Sequence, residues 1–288
     1  MSTLLPTKDG IYPGLSRELY DRIARVNWSS LKYMGESPFH FRAAQTKKRP
    51  DTDILRSGRG THALTHEPEL FRAQWAIWEG ASRRGKEWEK FSAQCKADGR
   101  DILTQDQFAD CQAISQAALS NERAAKYLRG GKAELTVLWT DKATGIECKA
   151  RIDFLAEDAG AITDLKTSKD VSEEGFTRTS WNFGYHTQAA FYCDGYEAAT
   201  GRRLPYVIVA VQSSEPHDVV PYHVGPQMLA MGKDTYRGHL ETLVWCRAQG
   251  RWPGHARDGE LQLRPPRWVA PTNDDEEDVA ALGLVAHE

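Results

Sequence analysis

Residues 148–170 read CKARIDFLAEDAGAITDLKTSKD, and this stretch decides the fold. Two apolar, strand-like runs flank the turn EDAG (157–160). Each run carries an acid, Asp153 in the first and Asp164 in the second, and Lys166 follows two residues later. Side chains alternate across a strand. One face of IECKARIDF therefore takes Ile146, Cys148, Ala150, Ile152 and Phe154, and the other takes Glu147, Lys149, Arg151 and Asp153. In the next run Asp164 and Lys166 share a face with Ile162, while Ala161, Thr163, Leu165 and Thr167 take the other. The short turn makes the runs neighbours and sets Asp153 beside Asp164. Two carboxylates that close both stay ionised at neutral pH only with a cation between them. Oxygen ligands suit Mg²⁺, with Mn²⁺ as a substitute, better than Zn²⁺. Such an ion acidifies a bound water and holds phosphate oxygens, and the compact ammonium of Lys166 is placed to orient that water. The competing reading is a solvated strand face with interspersed charges.

Outward from this stretch, AELTVLWT (133–140) is β-rich, and DKATG (141–145) turns the chain into the first acid-bearing run. The three runs read as an antiparallel meander. A helix follows over 176–199, then the strand PYVIVAVQSS (205–214), a further strand DVVPYHVG (218–225) and a closing helix over 226–250. The N-terminal part, 1–130, reads helical. TQDQFADCQAISQAALSNERAAKYL repeats Phe108, Cys111, Ile114, Ala118 and Leu119 at helical spacing. The expected fold is mixed α/β: a central, mostly antiparallel or mixed sheet flanked by helices, in αβββαβ order. One domain over 1–272 is expected, with a core over 55–225 and an acidic, disordered tail over 273–288 that begins NDDEED.

Composition narrows the function classes. The 288 residues are 40% apolar and 27% charged, as in an ordinary globular protein. No run approaches the roughly 18 apolar residues of a membrane span. The opening MSTLLPTKDGIYPG lacks a basic and then apolar leader, so no membrane partner and a cytoplasmic location are expected. The five cysteines are odd in number and widely spaced, with no CxxC, which argues against a disulfide framework, zinc or an iron–sulphur centre. A net charge of −3 gives no bulk sign of nucleic-acid binding, although TKKRP (46–50) and SRRGK (82–86) are locally basic.

With these residues in place, the chain resembles the PD-(D/E)xK nuclease superfamily, and in particular its RecE-like, lambda-exonuclease-like branch of phage recombination exonucleases. Four motifs occur in order. SGRGTHALTHEPE supplies Gly58, Gly60 and His62; ARIDFLAE supplies Asp153; ITDLKTS supplies Asp164, Leu165 and Lys166; and YHTQAAFYCDGY supplies Gln188 and Tyr192 as QxxxY. The proline that often precedes the first signature acid is absent, and so are the clustered cysteines of the iron–sulphur sub-branch. Gln188 and Tyr192 share a helix face, with Tyr185 and Tyr196 near the same stripe, which suits contacts to a DNA backbone; the competing reading of the two tyrosines is a buried ring with a wet hydroxyl.

The resemblance implies a restriction-endonuclease-like core and a Mg²⁺-dependent DNA exonuclease. Its substrate would be the end of linear double-stranded DNA, digested 5′ to 3′ to leave a 3′ single-stranded tail for recombination. Asp153, Asp164, the Leu165 backbone carbonyl and His62 would be metal ligands, with His66 one turn on as the local competitor to His62. Lys166 would position the attacking water. Glu134 is a further candidate for the site, and Arg151 would contact phosphate or pair with a carboxylate. A homo-oligomeric ring and a single-strand annealing partner follow from the same analogy. A restriction or repair endonuclease and a non-catalytic DNA-binding module are the alternatives.

Overall fold

The computed structural model describes residues 5–46, 51–256 and 259–266. Most of the basic run 46–50 and the whole acidic tail 273–288 lie outside the described residues. The chain begins with β1 (Gly10–Tyr12), α1 (Arg17–Arg22), α2 (Trp28–Leu31), a 3-10 turn and α3 (Pro38–Thr46). It continues with α4 (Asp53–His66), α5 (Pro68–Gln74), β2 (Trp75–Trp78), α6 (Lys86–Ala97), β3 (Asp101–Thr104), α7 (Gln105–Ser120) and α8 (Glu122–Ala125). The N-terminal part is therefore not purely helical. β1 adds an edge strand to the main sheet, and β2 pairs with β3 in a small parallel sheet. WAIW and DILT have four residues each, too few for an alternating pattern to stand out from the helices on either side.

The meander follows as β4 (Lys132–Thr140), β5 (Glu147–Ala156) and β6 (Ala161–Ser168). Next come α9 (Glu173–Phe183), α10 (Tyr185–Thr200), β7 (Tyr206–Gln212), β8 (Val219–His223) and α11 (Pro226–Gln249). Among the described residues the main sheet has six strands in the order β1-β4-β5-β6-β7-β8. It is antiparallel except where β6 meets β7, because α9 and α10 carry the chain across a face and return it in the same direction. This is a mixed α/β, restriction-endonuclease-like fold. The helix expected over 176–199 is two helices, broken at Gly184, whose φ of 68° and ψ of 32° place it in the left-handed region.

The two faces of the sheet have separate cores. On one, Cys148, Ala150 and Ile152 of β5 pack with Ile162, Ile208 and Ala210 under Ala190 and Phe191 of α10. On the other, Ala161 and Leu165 of β6 pack with Val207, Val209 and Val211 of β7 against Ile114 and Ala118 of α7. The opposed faces of β6 follow the alternation read from its sequence. β5 keeps that alternation only as far as Ile152. Phe154 leaves the α10-side cluster to stack on the His66 ring at 4.6 Å, and Leu155 joins the cluster in its place. No helix among the described residues is long and apolar enough to cross a membrane, and all five cysteines are buried free thiols.

Candidate active site at a fork in the sheet

β5 and β6 pair only through Phe154–Thr163, Leu155–Ile162 and Ala156–Ala161. Beyond that point β5 stays on β4, while β6 stays on β7 from Ile162 to Ser168. Asp153 and Asp164 are the first residues past the last pair, so both carboxylates stand where the strands part. On the far side of β5 the ladder skips the position between Ala133–Phe154 and Leu135–Ile152, where Glu134 would face Asp153. Glu134 has a φ of 50°, a left-handed conformation that costs a non-glycine residue about 1 kcal/mol or more.

His62 reaches the fork from α4. The Thr52 side chain caps this helix by accepting from Leu55 N at 3.3 Å. Gly60 lets the helix sit close: a Cβ there would come within 3.0 Å of Leu103 and 3.4 Å of the Cys111 sulfur. Thr65 adds a buried hydrogen bond to Ser115 Oγ of α7 at 3.0 Å. With α4 held in this way, His62 Nδ1 lies 3.6 Å from Asp153 Oδ2. One ligand atom from each of His62, Asp153 and Asp164 lies within 4.8 Å of the others. The Leu165 backbone is in hydrogen-bond contact with the His62 ring.

Asp164 is buried and its two oxygens are divided between neighbours. Lys166 Nζ donates to Oδ1 at 2.6 Å, while Gln188 Nε2 and the Tyr206 hydroxyl both donate to Oδ2 at 3.1 Å. Lys166 is also 4.0 Å from Asp153 Oδ2 and lies over the Tyr185 ring at 5.2 Å. Tyr192 stands behind, with its ring 6.5 Å from that of Tyr206. Arg151 is paired with the Glu134 carboxylate and donates to Leu15 O at 2.8 Å. Its neighbour on that face, Lys149, is buried and donates to Tyr20 O and Ile23 O at 2.7 and 2.8 Å. Two of the charges on the β5 face thus hold the N-terminal segment against the sheet and do not line an open surface. His66 stacks on Phe154, and burial lowers its pKa to about 3.

Electrostatics drives the two acids apart. Burial, and then the nearby Asp164 charge, push the Asp153 carboxyl well above the usual carboxylate range. Burial acts on Asp164 in the same direction, but the Lys166 ammonium and the hydrogen bonds outweigh it and hold its pKa at about 2. Burial opposes the Lys166 charge as well, and the two carboxylates more than compensate, keeping the ammonium above its ordinary range. Burial and the Lys166 charge lower the His62 pKa, so its ring is neutral and keeps a lone pair. A neutral imidazole, two carboxylates whose charges oppose each other, and a backbone carbonyl form a donor set that fits a divalent cation.

Sequence reasoning missed Tyr206. It opens β7 beside Ile162 in the parallel register, buried, with its hydroxyl on Asp164. As the first residue of YVIVAVQ it reads as core, and only the β6–β7 register, which no local pattern supplies, turns it toward the acid.

A mixed sheet that parts to present two acids and an amine, beside a histidine carried on a helix, defines a domain of the PD-(D/E)xK nuclease superfamily. The chain belongs to the family described as PDDEXK-like domain of unknown function (DUF3799), which matches residues 27–262. Among solved structures it is similar to a "Putative exonuclease" from Eubacterium rectale, at 18% identity and a TM-score of 0.57, covering 88% of this chain and 96% of that one. SSO0001 shares 11% identity with a TM-score of 0.27, over 72% of this chain and 83% of its own. No curated protein matches the chain in sequence. The family and the fold together support a nuclease.

Proposed function

We propose that this protein is a Mg²⁺-dependent deoxyribonuclease that digests linear double-stranded DNA from its ends, 5′ to 3′, and leaves a 3′ single-stranded tail for recombination. The observation that carries this reading is the convergence of His62, Asp153, Asp164 and Lys166 at the fork. A divalent cation held by Asp153, Asp164, the Leu165 carbonyl and His62 would acidify a water and offset charge building on the phosphate. Gln188 and Tyr206 hold Asp164 by Oδ2 and keep Oδ1 turned to the cluster. Lys166 orients the attacking water, and its charge opposes the negative charge developing at the scissile phosphate. Tyr192 and Tyr185 wall the site with rings, and Glu134 fixes Arg151 beside it. The same reading carries a homo-oligomeric ring around the duplex and an annealing protein that takes up the tail.

The test is digestion of linear duplex labelled at either 5′ or 3′ ends, alongside a closed circle, with Mg²⁺ and with EDTA. The expected result is early release of the 5′ label with Mg²⁺, an intact circle, and no release in EDTA. A nicked or linearised circle would assign an endonuclease, and binding without any release would assign a non-catalytic module.

A further inference from the structure

The break at Gly184 reshapes the surface beside the fork. Its left-handed backbone ends α9 and starts α10, and a Cβ there would also crowd the Trp28 ring at 3.2 Å. On an unbroken helix, residues two or five apart do not meet face to face. Here Phe183 stacks on Tyr185 at 5.8 Å and 21°, and Trp181 stacks on His186 at 4.5 Å and 4°. Both outer rings remain uncovered, Trp181 at 46% exposure and Phe183 at 64%. Tyr185 in turn lies under the Lys166 ammonium, so the rings step outward from the candidate active site itself. Trp181 and Phe183 border a cleft of about 520 Å³ whose other wall includes Trp28 and His239, which are stacked at 6.3 Å. His186 backs Trp181 and lines the same cleft; it is buried, and its Nδ1 has no hydrogen-bond partner among the described residues.

We propose that this aromatic shelf binds the unpaired bases of a nucleic-acid strand whose backbone passes through the fork, so that the protein engages a frayed or single-stranded end. The inference rests on the phosphodiesterase reading above. Bases inside a duplex have both faces covered by their neighbours, whereas a flat ring open to solvent offers stacking to a base turned out of the helix. The cleft lining holds one lysine, Lys32, and one acid, Glu36, so its attraction is for ring faces and not for phosphate charge.

The test compares wild type with Trp181→Leu, Phe183→Leu and Phe183→Tyr in Ca²⁺, by fluorescence anisotropy of a labelled oligo-dT and of a labelled blunt hairpin duplex. Both rings are exposed, so the substitutions leave the core alone. Each Leu variant is expected to weaken oligo-dT binding by about tenfold, with hairpin binding changed by less than about twofold, while Phe183→Tyr keeps wild-type affinity. The salt dependence stays the same in all four proteins, because no phosphate contact is lost. Equal losses on both probes, no loss on oligo-dT, or a shallower salt slope would overturn the proposal. So would self-association of wild type that Phe183→Leu abolishes, since that face would then belong to a second copy. Failure of wild type to cleave, with oligo-dT binding intact and ring-dependent, would end the nuclease reading and leave the shelf. Cleavage with unchanged binding in both Leu variants would do the reverse.

Discussion

The two edges of β6 contrast. Toward β7 every residue from Ile162 to Ser168 is in register, and the buried valines Val207, Val209 and Val211 pack behind the ladder. Toward β5 the pairing stops at Thr163, and the next residue is a buried aspartate. One edge satisfies its backbone with a neighbouring strand and leaves nothing for a ligand. The other gives up ladder bonds and fills the gap with carboxylates that oppose each other. The paired edge supplies rigidity, and the unpaired edge concentrates charge that a cation would relieve. The proposed function would thus separate stability from chemistry across the width of a single strand.

Substitutions on the two edges should therefore have different effects. The largest is expected at the fork. Asp164→Ala lowers the rate of duplex digestion on the order of a thousandfold while circular dichroism and DNA binding persist; cleavage near the wild-type rate would remove Asp164 from the chemistry. On the paired edge, Val209→Ala costs about 2 kcal/mol in urea unfolding through lost methyl packing. Its activity per folded molecule stays normal, and a catalytic defect there would break the separation.

A smaller effect is expected at Tyr206. Replacing it with Phe leaves the packing but removes one donor from Asp164 Oδ2, and cation affinity measured by calorimetry falls about tenfold. Unchanged affinity would make Tyr206 mere core. The smallest effect is a pH trend. Asp153 has a folded pKa raised above its unfolded value, so its contribution is fully present below the unfolded pKa and is lost as pH rises through the folded one. Asp164, held at about 2, contributes above its unfolded pKa of 3.8 and loses that contribution as pH falls toward 2. In EDTA, melting temperature should therefore drift down as pH rises above about 4 because of Asp153. Asp153→Asn flattens that trend, and millimolar Ca²⁺ reverses it in wild type. A decline that survives in Asp153→Asn would place its cause elsewhere.

The parts of the molecule that were legible in the sequence are those that rest on local rules. DKATG and EDAG mark the turns of the meander, and alternation places Asp164 and Lys166 on the face with Ile162. The spacing of Gln188 and Tyr192 puts both on one helix face, but that face, read as suited to a DNA backbone, turns inward: Gln188 donates to Asp164, Tyr192 packs beside Tyr206 and Tyr196 is buried in the core. The parts that stayed hidden depend on contacts distant in sequence. Alternation in β5 predicts Phe154 beside Ile152, but where β5 parts from β6 Phe154 stacks on the His66 ring and Leu155 joins the cluster with Ile152. Gly184 sits inside a helical pattern and gives no sign that it ends a helix. Glu134 reads as a further candidate for the site, and nothing local signals its left-handed backbone, which falls where the ladder opposite Asp153 is interrupted. Arg151 had two readings, phosphate contact or pairing with a carboxylate, and in the structure it pairs with Glu134.

The most direct test of the central claim is a crystal of this protein soaked in Mn²⁺ and measured at the manganese absorption edge. The account predicts an anomalous peak at the fork, bonded to Asp153, Asp164 and the Leu165 carbonyl and adjacent to His62, with Lys166 displaced from Asp164 Oδ1. A fork without a peak, with Lys166 still on Asp164 Oδ1, would contradict it.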